Sequence, residues 1–297
     1  MPDKEDPPYK IIASQLKNGD IVPFLGAGVN FGMREPANAQ WAYQTANFLP
    51  SGRDLSSYLI DQCEFPEKNE DDLAKVASYY VEVIDRAGLS EGLLPIFDRD
   101  YEPCEIHHYL ANDIPADKHL LIVTTNYDDL TEQAFIRANR PYDLVVHPTD
   151  AERAGSVIWW KHQATEPIYV APNSLQIDLA KTTVIYKMHG SVDRTQHKMN
   201  DYVITEDDYI DFLTRMIGQT AVPAQFMAHF RTHRFLFMGY GLNDWNLRVI
   251  LNNLQARKSW AIQYRPSAVE KRLWDKRNVD IYDVDINEFT RQLRARG

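Results

Sequence analysis

Apolar positions in this chain alternate between short unbroken runs and longer stretches spaced by three or four residues, and that alternation predicts the architecture. Tyr9 to Asn18 carries Ile11, Ile12 and Leu16 on a helical stripe, Asn18-Gly19-Asp20 stops it, and a buried strand runs to Leu25. The strand breaks into Gly26-Ala27-Gly28. From Phe31 to about Leu49 the periodicity is lost, and Arg34-Glu35-Pro36 with Trp41, Tyr43 and Phe48 read as a long loop or irregular helix covering the glycine turn. Helical spacing returns at Leu55, Tyr58, Leu59 and Cys63 and again at Leu73, Val76, Ala77, Tyr80, Val81 and Ile84, punctuated by Gly88, Pro95 and Pro103. Residues 51–113 are therefore read as a helical module inserted into a core made of 1–50 and 114–297.

Leu120 to Thr125 is a continuous apolar run suited to a central parallel strand, followed by a helix from Asp128 to Asn139. Leu144 to Val170 is rich in strand residues without a clear shape. Thr183 to Met188 is a strand ending at His189-Gly190, and Tyr202 to Ile217 and Ala221 to His233 read as helices. Arg234 to Met238 is a strand ending at Gly239-Tyr240-Gly241, with a helix from Asp244 or Trp245. Ser259 to Gln263 and Asp280 to Val284 are strands around a helix from Ser267 to Lys276. Strands interleaved with helices predict an α/β fold, a doubly wound parallel Rossmann-like sheet whose ligands collect beyond the carboxyl ends of its strands.

Composition narrows the function classes. A 297-residue chain that is 44% hydrophobic and 25% charged buries a large core. A net charge of −10 argues against a sequence-independent grip on nucleic acid, which needs clustered Lys and Arg. Two cysteines, Cys63 and Cys104, supply neither a disulfide framework nor a four-thiolate zinc site, so both are expected to be buried in a reducing, cytoplasmic setting. Met1 to Asp6 is polar and unlike a signal peptide, and no run is long enough to span a membrane. His107-His108 has no ligand-spaced Cys or carboxylate nearby and reads as a solvated or capping pair.

The candidate chemistry sits at strand ends. Two glycines one residue apart allow a ligand close to main-chain N–H groups, although many strands end this way simply to turn. Asn126 and Asp128 place an amide and a carboxylate where a strand gives way to a helix, a site that ordinary helix capping also favours. His189, followed by Gly190, is oriented toward the crevice by its place at the sheet edge, and its ordinary pKa suits a general base.

Together these stretches resemble a sirtuin-like domain. Gly26-Ala27-Gly28 resembles the family's first NAD loop, Thr125-Asn126-Tyr127-Asp128 its Gln-Asn-Ile-Asp signature, and His189-Gly190 its catalytic His-Gly. Gly239-Tyr240-Gly241-Leu242-Asn243-Asp244 resembles the late glycine motif of the divergent bacterial branch, and the motifs stand in the family's order between about residue 12 and 290. The departures are specific. No cysteine follows Cys104, so the family's four-cysteine zinc module is not expected, and the Asp-Phe-Arg signature is missing, leaving Arg34 as a loose candidate for its arginine. The resemblance is to the NADase effectors of bacterial antiphage systems such as Thoeris and the partners of HerA-type ATPases or short Argonautes. It implies NAD as substrate, cleaved to ADP-ribose and nicotinamide. Asn126 would hold the ribose hydroxyl or the attacking water, and His189 would accept a proton. Asp128 would contact the nicotinamide amide or fix the Asn126 loop. Gly26, Ala27 and Gly28 would hold the diphosphate through backbone N–H groups, with Arg34, Thr125, Gly190, Gly239, Gly241 and Asp244 completing the cofactor-binding set and an N-cap role left open for Asp244. Protein deacylation or ADP-ribosyl transfer, and non-catalytic sensing of NAD or ADP-ribose, stay open as alternatives. An NADase inside its host implies latency, released by homo-oligomerisation or a partner, with the segment from Arg34 to Phe48 as the candidate gate. No Gly-x-x-x-x-Gly-Lys-Ser/Thr motif is present, so any ATP-driven step would belong to that partner.

Overall fold

The computed structural model describes residues 6–34, 39–149, 153, 155–194, 200–218, 221–240 and 257–297. Helix α1 (Tyr9–Asn18) ends at Gly19 in the left-handed conformation and leads into β1 (Ile21–Leu25) and a 3₁₀ segment, Ala27–Met33. Helices α2 (Gly52–Cys63), α3 (Leu73–Val83), α4 (Arg86–Phe97) and α5 (Glu105–Asn112) follow. The chain then alternates: β2 (Leu121–Thr124), α6 (Leu130–Arg137), β3 (Asp143–Val146), β4 (Val157–Trp160), β5 (Ile168–Val170) and β6 (Val184–Lys187). A short antiparallel pair, β7 (Gly190–Ser191) and β8 (Asp201–Tyr202), precedes α7 (Glu206–Ile217), α8 (Ala224–Thr232) and β9 (Arg234–Met238). Then come β10 (Ser259–Gln263), α9 (Ala268–Asp275), β11 (Val279–Asp283) and α10 (Ile286–Arg296).

Among the described residues nine strands form one sheet in the order β11-β10-β9-β1-β2-β6-β3-β4-β5, parallel from β11 to β3 and antiparallel across β3-β4-β5. Successive strand residues enter opposite layers, as the period of two requires. Val22, Phe24, Val123, Tyr186 and Phe237 pack with Phe212, Phe226 and Trp274 of α7 to α9, whereas Ile21, Leu25, Ile122, Ile185 and Met238 pack with α1, α5, α6 and α10. Both faces are covered, which is why these strands read as continuous apolar runs. Chain order reverses at β1, with β2 on one side and β9 on the other, so the glycine turn opens at the topological switch point.

A third apolar cluster joins α2, α3 and α4 to Leu130, Val192, Tyr202 and Ile204 of the core. Helix α5, grouped with the module on its sequence periodicity, packs instead on the sheet with α6 and α10, through Ile106, Tyr109 and Leu110. Its start is capped by His107, whose Nδ1 accepts the Cys104 N–H at 3.0 Å. His107 is buried rather than solvated. Cys63 and Cys104 are free and buried. Among the described residues no helix is long and apolar enough to cross a membrane.

Candidate active site

The carboxyl ends of β1, β2 and β6 meet the start of α2 around a cavity of about 150 Å³. Ala27, Asn30, Thr125, Asn126, Asp128 and His189 line its core side; Ser51, Gly52, Leu55 and Leu73 belong to the helical module opposite. Asn126 and His189, 63 positions apart in the sequence, therefore share one wall of space.

Each group is held by its element. The Asn126 N–H donates to Thr124 Oγ1 at 3.0 Å and its side-chain Nδ2 donates to Gly26 O at 3.3 Å, tying the β2 turn to the glycine turn. Asp128 is bonded on both oxygens: Oδ2 accepts from Asn30 Nδ2 at 2.9 Å, and Oδ1 from the Leu130 N–H at 3.1 Å, at the start of α6. Of its two expected roles, that geometry serves fixing the loop. Burial raises the Asp128 carboxyl, opposed by Lys187, the Leu130 N–H and Asn30. The Thr125 hydroxyl meets Tyr240 Oη at 2.7 Å, and Tyr240 Oη donates to Leu25 O at 3.1 Å.

His189 lies edge-on to Tyr209 and Phe212, with ring centroids 5.6 and 5.4 Å away. Burial pushes its pKa down to about 3, with the Asp208 carboxylate acting the other way, so in this closed arrangement the imidazole is neutral at neutral pH and a weaker base than the ordinary imidazole expected from the sequence. Gly190, at φ +85°, lets the chain turn against β8: a Cβ there would stand 2.0 Å from Asp201 O.

The glycine turn is built differently from the expectation. The Gly26 N–H donates to Met238 O and the Gly28 N–H to Gly239 O, both at 2.9 Å, so neither is turned toward a diphosphate in this conformation. The glycines serve backbone approach: a Cβ on Gly26 or Gly28 would meet Gly239 within 2.7–2.8 Å, and one on Gly239, at φ +72°, would meet Val29 N at 2.2 Å. Arg34 does not line the cavity. It pairs with Asp54 at 2.5 Å and lies over Phe31 and Phe48, with its guanidinium carbon 4.7 and 5.0 Å from their ring centres. Gly241 and Asp244 lie outside the described residues.

Two groups escaped the sequence reading. Asn30 lines the cavity and leaves Oδ1 buried with no hydrogen-bond partner among the described residues. Lys187, fully buried, donates from Nζ to Tyr127 O at 3.1 Å, to Asp128 O and to Glu132 Oε1 at 2.9 Å, and so holds the Asn126–Asp128 turn from beneath. Its neighbourhood to His189 in the sequence was visible; its partners, 55 to 60 positions away, were not. Among the described residues no three His, Cys, Asp or Glu side chains are placed to share a metal ion.

Residues 120–282 match the SIR2-like domain family. The chain belongs to that family. The match holds Thr125, Asn126, Asp128, His189 and Gly239, while the glycine turn lies before it. This SIR2-like chain is 24% identical to defense-associated sirtuin 2 of Bacillus subtilis over 94% of its length and 25% of that protein's. It is 28% identical to the NAD(+) hydrolase ThsA of Enterococcus faecium, across 83% of this chain and 42% of the relative. A ThsA of Acinetobacter baumannii is 25% identical across 82% and 41%. The chain thus spans less than half the length of these relatives. A solved Sir2 enzyme structure aligns with all of this chain and 97% of its own at 11% identity and a TM-score of 0.44.

Proposed function

We propose that this SIR2-like chain hydrolyses NAD to ADP-ribose and nicotinamide, as a latent effector of antiphage defence. The observation that carries the reading is the convergence of Asn126 and His189 on one cavity beside the glycine turn. Relatives named NAD(+) hydrolase and defense-associated sirtuin support it.

The bond to be broken joins ribose C1′ to a nicotinamide nitrogen that is already cationic, so departure needs no acid. Positive charge passes to the sugar as an oxocarbenium-like species. The site must then orient the ribose and deliver water. Asn126, fixed between β1 and β2, presents its amide to a ribose hydroxyl or to that water. His189 accepts the proton released as the water oxygen bonds to C1′, its basicity restored when the cavity opens and relieves the burial that lowers its pKa. Asp128 fixes Asn30 and the start of α6. The vacant acceptor, Asn30 Oδ1, suits a substrate N–H such as the carboxamide of nicotinamide.

The size of the cavity supports latency, with the covering residues at Leu49 to Leu55 rather than in the Arg34–Phe48 stretch expected to act as the gate. A cavity of about 150 Å³ falls well below the few hundred Å³ of a typical ligand pocket, so the roof from Leu49 to Leu55 has to lift for a dinucleotide. Assembly into a homo-oligomer, or a HerA-type or short-Argonaute-type partner, would supply that opening. The test is incubation with NAD, with and without such a partner, and identification of products by mass. Free ADP-ribose and nicotinamide are expected, with Asn126→Ala and His189→Ala each at least about a hundredfold slower. Acylated ADP-ribose or ADP-ribosylated protein would replace hydrolysis with transfer. NAD left intact under every condition would remove the enzyme reading.

A further inference from the structure

A second cavity, about 590 Å³, opens on the other side of the Asn126–Asp128 turn, between α6, the β3–β4 hairpin and the chain following β7. It is large enough for a nucleoside. Phe135, Tyr142 and Trp160 supply aromatic walls, and the first two pack edge to face at 5.8 Å. Glu132 lines it and carries the unusual feature. Its Oε1 accepts from Lys187, but Oε2 is buried and has no hydrogen-bond partner among the described residues. A buried carboxylate oxygen left unmatched is costly; a rotation of the carboxylate at the cavity wall would bring it to an N–H donor on a ligand and relieve that cost. Burial raises the Glu132 carboxyl against the opposing effect of Lys187, consistent with an anion short of donors. Arg194 lines the same cavity, its guanidinium held by Asp98, Asp100 and Asp129.

We propose that this cavity is a binding site for an aminopurine nucleoside or nucleotide, with the ring against the aromatic walls and its exocyclic amine donating to Glu132 Oε2. A flat aromatic ring with an N–H on its edge matches both the walls and the vacant acceptor. A purely apolar ligand would leave the carboxylate unmet. The site does not depend on NAD cleavage at Asn126. It does touch the same turn, because Glu132 and the carbonyls of Tyr127 and Asp128 share the Lys187 ammonium.

The test is calorimetric titration of the full chain with adenosine and with purine riboside, which differs only in lacking the 6-amino group. Ile136 and Ala164 both line the cavity and are exposed, so Ile136→Trp and Ala164→Trp fill it without disturbing the core. Adenosine is expected to bind once per chain, purine riboside about tenfold more weakly, and each tryptophan variant at least about tenfold more weakly than the parent. Asn126→Ala should bind adenosine as the parent does. Absence of adenosine binding, equal affinity for the two purines, or binding that survives both tryptophans and is lost with Asn126→Ala would overturn the proposal, the last by placing adenosine in the smaller cavity.

Discussion

Lys187 shows what a single residue contributes when its partners are remote. Its ammonium is fully buried against one carboxylate and two carbonyls; Tyr127 O also accepts the Val192 N–H, but removing Lys187 takes away the donor that Asp128 O and Glu132 Oε1 share. Breaking a buried pair from one side costs about 3–5 kcal/mol, far more than the pair is worth against an apolar substitute. Lys187→Met is therefore expected to lower unfolding free energy by about that much in urea, and Lys187→Met with Glu132→Leu to recover part of it. A loss below about 1 kcal/mol in the single variant would mean that Lys187 does not hold the turn. The site residues that were legible in sequence, Asn126, Asp128, His189 and the paired glycines, are those whose setting is a local strand end. The cavity-lining Asn30 and the buried Lys187 were not, nor were the supporting roles of Glu132 and Tyr240, because each acts through contacts 55 to 215 positions away. Even the legible glycines changed meaning. Spacing alone could not distinguish N–H groups offered to a ligand from N–H groups spent on the neighbouring strand.

At the scale of elements, strong periodicity translated well: α1, β1, β2, β6, β9, β10 and α9 lie within a few residues of where their apolar patterns put them. The 144–170 stretch had no clear pattern because β4 and β5 form an antiparallel edge, partly exposed, with short strands. Helix α10 follows the last predicted strand and was not among the predicted elements. Asp285 is in fact its N-cap, accepting from the Asn287 and Glu288 N–H groups, while Asp283 accepts from the Arg265 N–H. The roof over the smaller cavity rests on another cap. Ser51 and Asp54 form a capping box at the start of α2, and the same Asp54 oxygen accepts from Arg34. Burial would raise the Asp54 carboxyl, but the Ser51 and Arg34 hydrogen bonds outweigh it and hold it below the usual range. Arg34 thus links the 3₁₀ segment, Phe48 and α2 at one point. Arg34→Ala is expected to cost about 1 kcal/mol and to speed amide exchange over residues 48–55. If that roof gates the cavity, NAD turnover should rise several-fold. A fall in turnover with a higher KM would instead place Arg34 against the substrate.

For the whole molecule, the buried imidazoles set the response to acid. His107, His147 and His189 lie at separate points of the core, and burial pushes each to a pKa of about 3. The unfolded chain takes up protons at its histidines near pH 6.5 while the folded chain does not, so stability is complete above that value and is lost as pH falls toward 3. Asp128 and Glu132, raised in the fold, act in the opposite sense: their share is present at low pH and lost as pH rises through their folded values. One imidazole can be isolated from this balance. His107 occupies the third position of the α5 capping box, where glutamine caps equally well, so His107→Gln keeps the Cys104 N–H bonded and removes the titration. With the shift this large, His107 should account for about 2 kcal/mol of the stability lost between pH 7 and pH 5. Urea unfolding at the two pH values should therefore show a smaller loss for His107→Gln than for the parent by about that amount. Identical losses would mean that the His107 imidazole becomes charged inside the fold, and that α5 does not exclude water as its packing implies.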